Sequence, residues 1–193
     1  MDLRDIPPSS TRYERRNTSH MAEIIELHPE DAARWQPQLI GLLQDAVDGG
    51  ASVGFLAPLS DGEAQRYWTK VFAQVGNNGR VVLAAVYDGA IVGSVQLELA
   101  SMPNAIHRAE VQKLLVLRTW RRQGIGQALM TAIEQAARRV GRQLLVLDTR
   151  LGDAAERLYA RMGYRRVGVI PNFALSSAGT LDTTVIFYRD LSA

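Results

Sequence analysis

The run Arg121-Arg122-Gln123-Gly124-Ile125-Gly126 has the residue types and spacing that most directly suggest chemistry. It follows an apolar stretch. It precedes Ile125, Leu129, Ile133, Ala136, Ala137 and Val140, which recur at helical spacing. A strand, a short loop and a helix that starts at the glycines together form an anion site. The first-turn N–H groups of a helix have no intrahelical partner, and the dipole adds positive potential there. Glycine removes the Cβ that would hold a diphosphate away from those groups. Arg121 and Arg122 add side-chain charge, and Arg118 belongs to the same basic cluster. Alone, a G-x-G pair is more often an ordinary turn. No G-x-x-x-x-G-K-[ST] loop is present. The third glycine of G-x-G-x-x-G is also missing, which disfavours a Rossmann dinucleotide site.

Composition removes several other chemistries. With no cysteine, thiol nucleophiles, disulfides and thiolate metal sites are excluded. His20, His28 and His107 are scattered without ligand spacing, so no metal is expected. A net charge of +2, from 22 basic and 20 acidic residues, is too balanced to argue for nucleic acid. No apolar run approaches the length of a membrane span, and no signal-peptide core opens the chain. The expectation is a cytoplasmic protein with neither a membrane nor a nucleic-acid partner. Its 193 residues, 47% hydrophobic, suit one compact domain.

The elements that must position the turn follow from periodicity. Residues 1–20 are polar and aperiodic and read as a disordered extension, with Met21 an alternative start. A strand is expected over Glu23–Leu27. A helix follows Pro29, with Trp35, Leu39, Leu42, Leu43 and Val47 on one face, and stops at Gly49-Gly50. A second helix is expected from about Asp61, read as its N-cap, through Val75. Arg80–Tyr87 and Ile91–Leu99 flank Asp88-Gly89, a dipeptide suited to a hairpin turn. Strands are expected over 109–117, 143–148, 165–170 and 184–188, with a long loop over 171–183. Helices are expected over 124–140 and 153–162.

This order, with the pyrophosphate pattern [Q/R]-x-x-G-x-[G/A] at Arg121, Gly124 and Gly126 and the later Tyr159 and Gly163-Tyr164, resembles the GNAT superfamily of acyl-CoA N-acyltransferases. The resemblance spans roughly residues 23–190. Residues 49–55 and 108–114 look like the tabtoxin-resistance branch, whose members acetylate a β-lactam-containing amino-acid toxin. Many family members carry an Asn seven residues before the helix tyrosine. Gly152 stands there in this chain and has no side chain to make any CoA contact of that Asn.

The resemblance implies a mixed α/β fold. Its central sheet is twisted and mostly antiparallel, with a splayed parallel strand pair, and helices flank it. Residues 21–193 would form a single N-acetyltransferase domain. Acetyl-CoA would be the co-substrate, held by Leu114, Leu115, Val116, Arg121, Arg122, Gln123, Gly124, Ile125, Gly126 and Gln127. Acetyl transfer needs a neutral amine, stabilisation of the oxyanion and a proton for the departing thiolate. Without cysteine, direct attack by the amine is the simpler route. Glu110, on the strand beside the pantetheine arm, and Asp148, ending the next strand, are the two base candidates. Their alternatives are a solvated edge residue and a strand-end cap. A backbone N–H near Leu115 or Val116, at an expected bulge, would serve the oxyanion. Tyr159 is the candidate proton donor, although it also lies on the apolar stripe of its helix.

Ser52, Phe55, Asn172 and Phe173 would touch the acceptor by family position. The acceptor expected is a small-molecule primary amine, such as an amino-acid-like toxin or antibiotic. A protein N-acetyltransferase and a non-catalytic CoA-binding module are the alternatives. The family's frequent assembly is a homodimer.

Overall fold

The computed structural model describes residues 21–192. The extension expected to be disordered, residues 1–20, lies outside the described residues. Seven strands form one sheet: β1 Glu23–Glu26, β2 Arg80–Tyr87, β3 Ala90–Leu99, β4 Arg108–Val116, β5 Leu144–Arg150, β6 Arg165–Leu175 and β7 Leu181–Asp190. Their order is β1-β2-β3-β4-β5-β7-β6, with every pair antiparallel except β4–β5. The helices are α1 Ala32–Asp48, α2 Asp61–Gly76, α3 Ile125–Arg139 and α4 Ala154–Arg161. This is the mixed α/β architecture anticipated from the sequence.

Strands β2 and β3 are buried on both faces of the sheet. On one face α1 and α2 bury Leu39, Leu42, Leu43, Trp68 and Phe72 against Val82, Ala84 and Leu115. On the other, Leu129, Met130 and Ile133 of α3 pack on Val95, Leu97, Val111, Leu145 and Phe187. The helical spacing that foretold α1 and α3 thus marks their core faces. The Asp88-Gly89 turn has both residues at positive φ, 48° and 74°, as a tight hairpin requires.

Three sequence expectations are corrected. The cap of α2 is Ser60, not Asp61. Its hydroxyl accepts the Glu63 N–H, and Glu63 Oε2 accepts the Ser60 N–H, each at 3.3 Å. The expected loop over 171–183 is mostly strand. β6 continues to Leu175 and β7 starts at Leu181, joined by a short turn. β6 is an edge strand, where Pro171 is tolerated. Asn172, at φ 55°, helps absorb an irregularity between Ile170 and Ala174. Arg118, grouped with the anion turn by sequence, is bound instead to Asp45 of α1, at 2.8 Å from Nε and 2.9 Å from its backbone N–H.

β4 and β5 pair only at Arg108–Leu144, Ala109–Leu145 and Glu110–Val146. Beyond Glu110 the two strands share no further rung, and the sheet opens. On its other side β4 carries a bulge. The register with β3 jumps from Gln96–Gln112 to Ser94–Leu115, and Lys113 sits at φ 50°. Gly93 lets this bulge approach α3. A Cβ there would lie 2.9 Å from the Leu115 carbonyl oxygen and 3.1 Å from Leu129. Gly93→Ala should therefore destabilise the fold by about 1–3 kcal/mol in denaturant unfolding. Gly41→Ala, in α1 with nothing within 4 Å of the new Cβ, should stabilise it by about 0.5–1 kcal/mol. Equal effects at the two positions would contradict this packing account.

Candidate active site

The opening between β4 and β5 continues into a cleft of about 690 Å³. Leu114, Leu115 and Val116 line its β4 side; Ala154, Ala155 and Leu158 line its α4 side. Arg121, Arg122, Gly124, Ile125, Gly126 and Gln127 close the far end, together with Trp120 and Arg161. Gln123 is not in the lining; its side-chain amide donates to the Thr119 carbonyl at 3.4 Å. Arg121 Nε donates to the Val116 carbonyl at 3.3 Å, which ties the turn to the end of β4.

The N-terminus of α3 is bare. Gly124 occupies the N-cap at φ 83°, and no side chain caps the helix. A Cβ added at Gly124 would meet nothing within 4 Å, and one at Gly126 only Leu158 at 3.5 Å and Val116 at 4.0 Å. Packing therefore does not demand these glycines. At Gly124 the backbone conformation does. At Gly126 a side chain would intrude on the space in front of the free N–H groups. Among the described residues neither Arg121 nor Arg122 enters an ion pair, whereas Arg118 does. Two guanidinium groups outside any ion pair, Arg121 using only its Nε–H on the Val116 carbonyl, stand beside an uncapped helix start and fit a pyrophosphate.

At the closed end of the wedge stand the two carboxylates. Glu110 is on the last β4–β5 rung, and Asp148 lies one turn of the pleat beyond that rung on β5. Their inward neighbours, Ala109 and Leu147, are buried against α3, so both carboxylates face the α1–α2 side. Both are exposed. Glu110 Oε1 accepts from Gln112 Nε2 at 2.9 Å, and Asp148 Oδ2 accepts from the Thr184 hydroxyl at 2.7 Å.

Behind Glu110 runs a buried polar network that the sequence reading did not identify. Arg80 donates to Gln74 at 2.9 Å, Gln96 at 2.6 Å, Gln112 at 3.0 Å and Glu98 at 2.7 Å. The Tyr67 hydroxyl donates to Gln96 at 3.0 Å. Burial raises the Tyr67 phenol above its ordinary pKa. Lys113 adjoins this patch. Burial, with Arg80 acting in the same direction, lowers its ammonium below the usual lysine range. A signal for this network was present: Gln96 stands between the apolar Val95 and Leu97 of β3.

A second pocket, of about 260 Å³, lies between residues 50–56 and the β6–β7 turn. Ser52 and Phe55 line it; its β6 side is formed by Ala174 and Leu175. Asn172 and Phe173 sit earlier on β6, both exposed. Arg150, also unnoticed in the sequence, fastens this region. It donates to the Gly50 carbonyl at 3.1 Å and pairs with Asp153 at 2.9 Å and Asp182 at 3.3 Å. Tyr159 is buried, with its ring 5.7 Å from Tyr164 and 6.0 Å from Phe187. Burial pushes its phenol far above the ordinary range, and Asp148 and Asp153 add to the shift, so it stays protonated at neutral pH. Among the described residues no cluster of three metal-ligating side chains occurs, and no helix is long and apolar enough to cross a membrane.

Comparison with known proteins bears on this geometry. The model of the acetyltransferase (GNAT) family matches residues 52–164, more than half of the chain and including the whole wedge. The chain belongs to this family. It is 32% identical over 108 residues to an uncharacterised N-acetyltransferase of the hisH–hisA intergenic region of Azospirillum brasilense, covering 55% of this chain and 62% of that one. It is 34% identical over 84 residues to an aminoalkylphosphonate N-acetyltransferase of Salmonella typhimurium, covering 42% and 54%. The matched part thus spans less than two thirds of either relative. In fold it is similar to a Salmonella typhimurium protein described as an acetyltransferase and solved with its cofactor acetyl-CoA. That likeness has a TM-score of 0.72 and 18% identity over 90% of this chain and 95% of the other.

The two groups of arginines should separate experimentally. Arg121→Ala with Arg122→Ala should weaken acetyl-CoA binding by about tenfold or more in calorimetry, with a steeper loss at low salt. Arg118→Ala should lower thermal stability and leave that affinity within about twofold. Equal losses of affinity would mean that the turn is not the anion site.

Proposed function

We propose that this chain moves the acetyl group of acetyl-CoA to a primary amine of a small molecule by direct attack, with residues 21–193 acting as one domain. The observation that carries the reading is the meeting of three features in one wedge: the bare start of α3, the unpaired stretch of β4, and the two carboxylates at the closed end. When bound, acetyl-CoA supplies the activated acetyl thioester. The first-turn N–H groups of α3, with Arg121 and Arg122, hold the pyrophosphate. Leu114, Leu115 and Val116 flank the pantetheine arm. From Val111 onward β4 has no ladder partner on the β5 side, so a backbone N–H near Leu115 or Val116 is available to an oxyanion.

Glu110 is the base. An amine of pKa near 10 arrives mostly protonated, and a carboxylate both attracts it and takes its proton. Gln112 orients Glu110 through Oε1, and no partner occupies Oε2 among the described residues. Asp148 shares the amine site, held by Thr184. Tyr159 is the proposed hydrogen-bond donor to the departing thiolate; burial raises its phenol, so it stabilises the thiolate by a hydrogen bond without giving up its proton outright.

A small acceptor is favoured over a protein because the pocket lined by Ser52 and Phe55 is small and tied down. Arg150 holds Gly50, and the Ser177 hydroxyl accepts the Ala57 N–H at 2.9 Å. The similarity to a relative named for aminoalkylphosphonate supports the same choice. An amino-acid-like toxin or antibiotic fits this size class, and Asn172 and Phe173 would reach it only at the outer rim. The cytoplasm, where acetyl-CoA is made, is the proposed location. A homodimer through β6 is the proposed assembly, supported by exposed Val167, Phe173 and Leu175 on that edge strand.

Glu110→Gln should reduce kcat/KM for a working amine by about a hundredfold or more at neutral pH. The loss should shrink as rising pH deprotonates the free amine. A variant as active as the parent at every pH removes Glu110 as the base. Acetyl-CoA binding without thiol release for any amine would favour a non-catalytic CoA-binding module.

A further inference from the structure

Lys113 is a charged residue beside this site that the transfer chemistry does not use. As part of the β4 bulge it lies outside the ladder with β3, and its φ of 50° re-aims the side chain. Its ammonium sits 5.8 Å from the centre of the Tyr67 ring on α2. A Cβ built on Gly54 would lie 3.8 Å from Nζ, so residues 50–56 pass beside it. Lys113 is half-buried, yet among the described residues it enters no ion pair and no hydrogen bond. Its basic neighbours differ. Arg80 is bound to Glu98 and three glutamines, and Arg150 to two aspartates.

The charges acting on Lys113 come from every wall. Arg80 on β2 repels it, while Glu98 on β3, Glu110 on β4 and Asp148 on β5 attract it from outside contact range. A partly dehydrated ammonium without a contacting counter-ion gains when an anion arrives. The same end of the wedge holds two exposed carboxylates suited to an amine. The two poles match a molecule that carries both charges.

We propose that Lys113 sets acceptor specificity by binding an anionic group, a carboxylate or phosphonate, on an amine whose nitrogen lies toward Glu110 and Asp148. The acceptor class is thus a zwitterionic amino acid or amino phosphonate. The inference rests on the acetyl-transfer reading above and narrows it.

The test uses matched amines: β-alanine against β-alaninamide, and 2-aminoethylphosphonate against ethanolamine. Wild type, Lys113→Met and Lys113→Arg are assayed by thiol release, and each probe is also titrated calorimetrically without turnover. Wild type should favour the anionic member of each pair at least tenfold in kcat/KM, mainly through KM. Lys113→Met should bring that ratio close to one, and Lys113→Arg should restore much of it. An unchanged ratio in Lys113→Met, or a wild-type preference for the neutral members, overturns the proposal. If no amine releases thiol, the transfer reading fails on its own. Calorimetry then decides Lys113: anion binding lost in Lys113→Met sustains it, and equal or absent binding in both proteins overturns it.

Discussion

Everything at this site depends on the loss of hydrogen bonding between β4 and β5 after Glu110. A parallel pair that continued would leave no backbone groups free and no room between the strands. Three rungs suffice to anchor the pair, because each strand is secured on its other side: β4 by β3 and β5 by β7. The split therefore costs a short stretch of ladder and creates a cleft with unpaired backbone at its wall. The adjoining helix then begins just after its N-cap Gly124, with its own N–H groups directed at the same space. The anion site and the opened sheet are thus two ends of one cavity.

The side facing α1 and α2 has a different character. There the strands bury polar groups, and Arg80 joins β2, β3 and β4 through Gln96, Glu98 and Gln112. Such a network is stable only when nearly every member is paired. One of the few buried atoms left without a partner is the Gln96 amide nitrogen. The network fixes Gln112, and Gln112 fixes Glu110. A residue far from the cleft entrance thereby sets the orientation of a carboxylate at the cleft's closed end.

Much of the framework was legible in the sequence because it rests on periodicity. The stripe from Ile125 to Val140 announced α3, and Asp88-Gly89 announced the hairpin. The glycine turn was legible too, since a helix start has a local signature. Apart from the Ser60 cap, which Glu63 decides from three residues away, what escaped depends on pairing between distant segments. Pro171 and Asn172 look like loop residues until an edge strand accommodates them. Arg118 looks like part of the anion turn until Asp45, 73 residues earlier, is placed beside it. Lys113 looks like an ordinary strand residue until the bulge with β3 turns it. In each case the deciding partner is remote in sequence, so no local pattern could report it.

The central claim is that one cavity, from the α3 start to the β4–β5 wedge, receives acetyl-CoA. A groove of similar volume, about 690 Å³, runs along the other side of α3 against β1, where Ile24 and Leu83 line it. Amide NMR spectra recorded during an acetyl-CoA titration distinguish the two directly. The account predicts that the largest shifts fall together on the Ile125, Gly126 and Leu114–Val116 amides, which border the cleft and not the groove. Shifts centred on Ile24, Leu83 and the Ala132–Ala136 face of α3, or no shifts at all, would contradict it.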